Sequence, residues 1–162
     1  MGLSRVSTYH NSSFTPEFFN AGEKVDLVTR NHLSSDEILN LSVSALLMQK
    51  ALDIRAIDIS YCSDVSDVFL IASGTSERHV KGIADRVVEE LSKKGERPTA
   101  VNGYQEGEWV LVDFGSVIVH VFYEPMRQFY GLDELWAKKG NILRFDADTE
   151  KEIRQLRTGI DW

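Results

Sequence analysis

The side chains equipped for chemistry are scattered in this chain. Cys62 is the single cysteine, which excludes an intramolecular disulfide and a thiolate metal cluster and is compatible with a reducing compartment. His10, His32, His79 and His120 show neither the His-x-x-x-His spacing nor the adjacent Glu of a metal site, and no histidine stands near Cys62 to activate its thiol. A small, half-buried turn residue is the expected role for Cys62. Gly74-Thr75-Ser76 falls where a strand gives way to a helix, a place where free backbone N–H groups and the helix dipole attract anions. It lacks the Gly-x-x-x-x-Gly-Lys-Ser/Thr and Gly-x-Gly-x-x-Gly patterns, so helix capping by Thr75 or Ser76 is the better account. Arg78 and His79 lie in the first helical turn, where the dipole disfavours cations; they serve an outside partner or simply face solvent.

The same turn invites comparison with nucleotidyltransferases, in which the following strand supplies an Asp-x-Asp pair for two metal ions. Clamping two cations about 3.5–4 Å apart requires neighbouring carboxylates. The next strand candidate, Pro98-Thr99-Ala100-Val101, has none, and Asp113 is alone on its strand. The topology is therefore expected without the catalytic acids; an enzyme with an unrecognised acidic site around Asp113 is the alternative.

Binding chemistry is better represented. Trp109 to Asp113 and Val117 to Phe122 read as a hairpin turning at Phe114-Gly115. A two-residue loop there sets Asp113 opposite Ser116, Val112 opposite Val117, Leu111 opposite Ile118, Val110 opposite Val119 and Trp109 opposite His120. Alternation then gives one face to Val110, Val112, Val117, Val119 and Val121, and the other to Trp109, Leu111, Asp113, Ile118, His120 and Phe122. The valine face suits packing beneath helices. The second mixes apolar groups with a large amphipathic ring and two titratable groups, as a docking surface does. Trp109 serves equally well as core filler or interface anchor. His120, with no nucleophile beside it, reads as a packed or interface histidine rather than a general base. Phe129, Tyr130, Leu132, Leu135 and Trp136 are most simply core or a dimer contact. Glu106 and Glu108 are a solvated loop that can also meet a basic protein.

The elements that must position these groups form an α/β domain. Ser34 and Glu37 make a capping-box pattern that opens a helix running to about Leu52. Ala56 to Tyr61 and Val68 to Ser73 read as strands. Val80, Ile83, Ala84, Val87, Val88 and Leu91 fall on one stripe of a second helix, which Lys93, Lys94 and Gly95 close. Pro125 suits the first turn of a helix through Tyr130, and Leu132 to Trp136 continues it or starts another. The charged stretch beyond Trp136 supports one weak helix through Glu150, Ile153, Arg154 and Leu156. The chain divides into an irregular extension (1–33), a domain (34–139) and a charged tail (140–162).

A length of 162 residues, 43% of them hydrophobic, suits one globular domain plus terminal excess. A formal net charge of −7 disfavours binding to a phosphate backbone, so a basic protein is the expected macromolecular partner rather than RNA. No apolar run approaches a membrane span. The opening residues lack a signal-peptide core, and Val6 breaks the myristoylation pattern that Met1-Gly2 begins. With Arg5 the one basic residue before Lys24, a bacterial extension is expected in preference to an organellar transit peptide.

From Ala51 through Trp136 the chain resembles the ribosomal silencing factor family, also called Iojap. The resemblance rests on Asp67-Val68-Phe69-Leu70-Ile71-Ala72-Ser73-Gly74-Thr75-Ser76, Arg78-His79-Val80, Val87-Val88-Glu89-Glu90, Gly107-Glu108-Trp109-Val110-Leu111-Val112-Asp113, Val117-Ile118-Val119-His120-Val121 and Arg127-x-Phe129-Tyr130-x-Leu132-x-x-Leu135-Trp136, in order and at consistent spacing. It implies a mixed β-sheet with flanking helices, similar to a nucleotidyltransferase fold but without its acids. It also implies a non-enzymatic translation repressor that needs no cofactor. Such a repressor binds the fourteenth protein of the large ribosomal subunit and sterically blocks joining of the small subunit when nutrients are short. The family's partner surface includes the tryptophan matching Trp109 and adjoining residues of that strand, extended here to Asp113, Phe114 and His120. A homodimer is compatible with this reading. A cytoplasmic location is expected, with mitochondrion or chloroplast as the alternative.

Overall fold

The computed structural model describes residues 32–138 and 140–145. The expected final helix around Glu150 and the extension before His32 lie outside the described residues.

Helix α1 (Ser35–Met48) starts at the capping box, with the Glu37 N–H donating to Ser34 Oγ (3.3 Å) and the Ser34 N–H donating to the Glu37 carboxylate (2.7 Å). It stops short of the expected Leu52. Lys50 turns left-handed (φ 55°), its N–H reaching Leu47 O and that of Ala51 reaching Leu46 O, a Schellman stop made without glycine. Strand β1 (Leu52–Asp58) consequently begins before Ala56. It ends where the Asp58 carboxylate accepts from the N–H and hydroxyl of Ser60 (3.0 and 2.6 Å) and bends the chain. Cys62, on the turn that follows, is exposed rather than half-buried.

Strand β2 (Val68–Gly74) leads to helix α2 (Glu77–Ser92), capped by Ser76, whose Oγ accepts from the His79 N–H. The expected stripe of α2, from Val80 to Leu91, is buried. Strands β3 (Ala100–Asn102), β4 (Trp109–Asp113) and β5 (Val117–Tyr123) follow, then the short helices α3 (Glu124–Tyr130) and α4 (Leu132–Trp136). Left-handed Gly131 (φ 60°) separates the two, so Leu132 starts a new helix. A further strand absent from the sequence reading, β6 (Ile142–Phe145), pairs antiparallel with β1. The sheet thus takes in residues past position 139.

The result is one six-stranded sheet in the order β3-β4-β5-β2-β1-β6. β2 and β5 are parallel and every other pair is antiparallel, the mixed α/β architecture expected. Helices α1 and α2 contribute Leu46, Val80, Ile83, Val87 and Leu91 to the main core with Val110, Val112, Val117, Val119 and Val121, all of them fully buried. The valine face is therefore the helix-covered face. A smaller cluster on the opposite side joins Ile57, Ile59, Ile71 and Phe122 to Leu132 and Trp136 of α4. Burying each such side chain stabilises the fold by about 1.5–3 kcal/mol.

The β4–β5 register differs from the one expected. Gly115 takes φ 84° and the Phe114 N–H donates to Val117 O, so the two-residue loop is Gly115-Ser116, with glycine at the first central position as a type II′ turn requires. Trp109 therefore stands opposite Phe122, Val110 opposite Val121, Leu111 opposite His120, Val112 opposite Val119 and Asp113 opposite Ile118. Because the shift is by an even step, the division of side chains between faces is unchanged.

Candidate functional site

The face opposite the valines carries a chain of aromatic rings. Trp109 stacks on Phe122 (centroids 4.9 Å apart) and meets Tyr130 of α3 at 4.8 Å, and Tyr130 meets Phe129 edge-on at 5.3 Å. In the other direction His120 meets Phe69 edge-on at 4.7 Å, and Phe69 meets Trp136 at 5.4 Å. The two arms join at a hydrogen bond from Trp109 Nε1 to His120 Nδ1, 3.1 Å long. The indole can only donate, so Nδ1 is the acceptor and the imidazole proton sits on Nε2. That Nε2 is buried without a hydrogen-bond partner. Burial pushes the His120 pKa down to about 3, against a smaller upward pull from the Asp133 charge. His120 is therefore a neutral, packed histidine that fixes the Trp109 indole.

The other expected site residues separate into groups. Leu111 and Asp113 share the Trp109 face and are half-buried. The Asp113 carboxylate accepts from the Gly115 N–H at 2.7 Å, so it organises the turn. Phe114 does not join the surface: it is 7% exposed and lies in the helix-side core, on the valine face, because it keeps the parity of Val110 and Val112. Glu106 and Glu108 are exposed in the loop leading into Trp109. At the strand-to-helix turn the Thr75 N–H is taken up by His79 Nδ1 (3.0 Å), and His79 Nε2 contacts Gln49 O at 2.6 Å. His79 thus ties α1 to α2, while Arg78 is exposed. Among the described residues no group of three His, Cys, Asp or Glu side chains could hold a metal ion.

Two features refine the expectation from sequence. Phe129, Tyr130 and Leu135, expected to be core or a dimer contact, are 77%, 45% and 72% exposed, which excludes core for these three and leaves a contact with another chain open. Glu124 and Glu134 on the same two helices are exposed as well. Leu132 and Trp136 of the same stripe turn instead to the sheet. The second feature is a buried ion pair beneath them. Arg127 donates through Nε and Nη2 to the two Asp133 oxygens, both at 2.9 Å, and through Nη1 to Asp53 O (2.8 Å) and Ser73 Oγ (2.9 Å). Burial raises the Asp133 carboxyl, but the Arg127 hydrogen bonds and the charges of Arg127 and Arg55 outweigh it and hold the pKa below the usual value.

Helices α3 and α4 thus present exposed aromatic and acidic side chains together. The profile of the family described as "ribosomal silencing factor during starvation" matches residues 32–159. The chain belongs to this family. Ribosomal silencing factor RsfS of Bacillus subtilis is 36% identical over 105 residues, covering 65% of this chain and 89% of the relative. A solved Chromobacterium violaceum structure superposes with a TM-score of 0.64 at 33% identity, covering 73% of this chain and 99% of that one. The mouse protein "mitochondrial assembly of ribosomal large subunit protein 1" is 29% identical over 110 residues, covering 66% of this chain and 48% of the relative. Among the described residues of this silencing factor family member, no helix is long and apolar enough to cross a membrane.

Proposed function

We propose that this chain is a translation repressor that binds the large ribosomal subunit through its fourteenth protein and sterically blocks joining of the small subunit when nutrients are limiting. The observation that carries the reading is the ring chain centred on Trp109, open to solvent at Tyr130 and Phe129 and accompanied by Glu106, Glu108, Glu124 and Glu134. Apolar anchors supply affinity at such a surface, and the carboxylates favour a basic protein over a phosphate backbone. The action is occupation of a face, with no bond made or broken. Bacterial relatives at higher identity than the mouse protein support a cytoplasmic site of action.

The test is a subunit-joining assay on sucrose gradients, coupled to chemical cross-linking. Saturating chain added to large subunits first should suppress assembly of the full ribosome, with cross-links concentrated on the fourteenth protein. Unimpaired joining at saturation would refute the repressor reading, and cross-links concentrated on another protein would reassign the partner.

A further inference from the structure

We propose that the Arg127–Asp133 ion pair is the positioning element of the docking surface: it fixes how α3 meets α4 at Gly131 and so holds Tyr130 against Trp109. The inference rests on the reading that this surface meets the ribosome, and it concerns what gives the surface its shape. α3 has 7 residues and α4 only 5. Helices so short have little stability of their own, because each turn must repay a costly nucleus. Leu132 and Trp136 seat α4 on the sheet, but Phe129 and Tyr130 of α3 are exposed, so apolar packing gives α3 much less hold. What ties α3 to that seated helix is Arg127, one turn before Tyr130 and itself only 7% exposed. Its four hydrogen bonds reach Asp133 in the first turn of α4, the Asp53 carbonyl in β1 and the Ser73 hydroxyl in β2.

The charges are placed to suit both helices. Arg127 lies in the last turn of α3 and Asp133 in the first turn of α4, each at the end whose dipole it complements. The β1 end of the tether is specialised too. Asp53 adopts φ 45° at a bulge between Leu52 and Arg55, which turns its carbonyl to Arg127, and Arg55 contacts both Asp53 (2.9 Å) and Asp133 (3.6 Å). A non-glycine residue keeps such a backbone only where its surroundings over-determine it. The pair borders a cleft of about 400 Å³, lined also by Leu52, Gln128 and Glu134. Water can therefore reach an orphaned carboxylate there, so variants of Arg127 should fold with a loosened corner rather than collapse.

Arg127→Met removes the fork at nearly constant length, Asp133→Asn removes the opposite charge, and Arg127→Lys keeps the charge without the planar fork. Ile83→Ala, in the helix-side core, serves as a control of lowered stability. Binding to purified large subunits and amide hydrogen exchange would be measured on each full-length chain. Arg127→Met, Asp133→Asn and Arg127→Lys should each bind at least about tenfold more weakly than wild type. Amides of 124–136 should exchange faster while those of β2 and β5 do not, and Ile83→Ala should lose less than about threefold in binding for an equal or larger fall in Tm. Wild-type affinity in folded Arg127→Met, restoration by Arg127→Lys, an equal binding loss in Ile83→Ala, or unchanged exchange over 124–136 would each overturn the proposal. If Arg127→Met does not fold, Asp133→Asn decides by the same criteria. If the wild-type chain does not bind large subunits, the docking reading fails, and the exchange data alone decide whether Arg127 positions the corner.

Discussion

His120 sets a pH limit on the fold. Its folded pKa of about 3 lies below the ordinary histidine value of 6.5, so the unfolded chain takes up a proton that the folded chain refuses. The stabilisation is complete above pH 6.5 and is lost progressively as the pH falls towards 3. Asp133, also depressed, contributes stability above the ordinary aspartate value of 3.8 that disappears as the pH drops through its lower folded value. His120→Asn keeps an acceptor for the indole and cannot titrate in this window. Chemical denaturation at pH 7 and at pH 4.5 should show wild type losing more stability between the two than His120→Asn does; equal losses would mean that His120 is not held neutral by burial. Trp109→Phe examines the same contact from the other side. It keeps the stacking on Phe122 but leaves His120 Nδ1 buried without a donor, a loss of about 1–3 kcal/mol. Calorimetry that finds Tm unchanged in Trp109→Phe would remove the hydrogen bond from the account. At this scale the sequence made Trp109 and His120 legible as neighbours on one face, since strict alternation assigns faces even when the register is misjudged. Arg127 was not legible, because its partners at 53, 73 and 133 converge only through the fold.

Elements with self-contained signals could be located closely. β4 matches its expected span residue for residue because its flanking turn residues bound it, and α2 matches because its apolar stripe has helical period. The end of α1 and the start of β1 were misplaced because the helix stop uses Lys50 instead of glycine. β6 escaped notice because four residues amid charge carry no period of their own, and their partner strand lies far back in the chain. A sequence-based boundary at 139 would remove this strand, bare the edge of β1 and uncover the cluster that Ile142 joins. A chain ending at 139 should therefore melt several degrees below one ending at 145 and associate more strongly as its concentration rises. Matching Tm values and sedimentation profiles for the two chains would show β6 to be dispensable and support the shorter domain.

For the whole molecule, a net charge of −7 and the exposed carboxylates beside Trp109 should speed encounter with a basic ribosomal protein. Stopped-flow association with large subunits should slow as salt rises, and Glu106→Gln/Glu108→Gln should slow it at low salt with less effect on dissociation. Rates indifferent to salt and to the double substitution would place these two acids outside the approach. Composition made this charge legible, and it made the lack of an acid pair in β3 legible too. It could not show that α3 and α4 expose their aromatic side chains, because an aromatic stripe has the same sequence pattern whether its outward residues meet solvent or another layer. The claim on which the account depends is that the Trp109 face is what meets the ribosome, and the affinity of folded Trp109→Ala for purified large subunits tests it most directly. Circular dichroism should show the variant folded, and its binding should weaken by ~2 kcal/mol or more, as truncation of a hot-spot tryptophan does; a folded Trp109→Ala that binds large subunits as tightly as wild type would contradict the account.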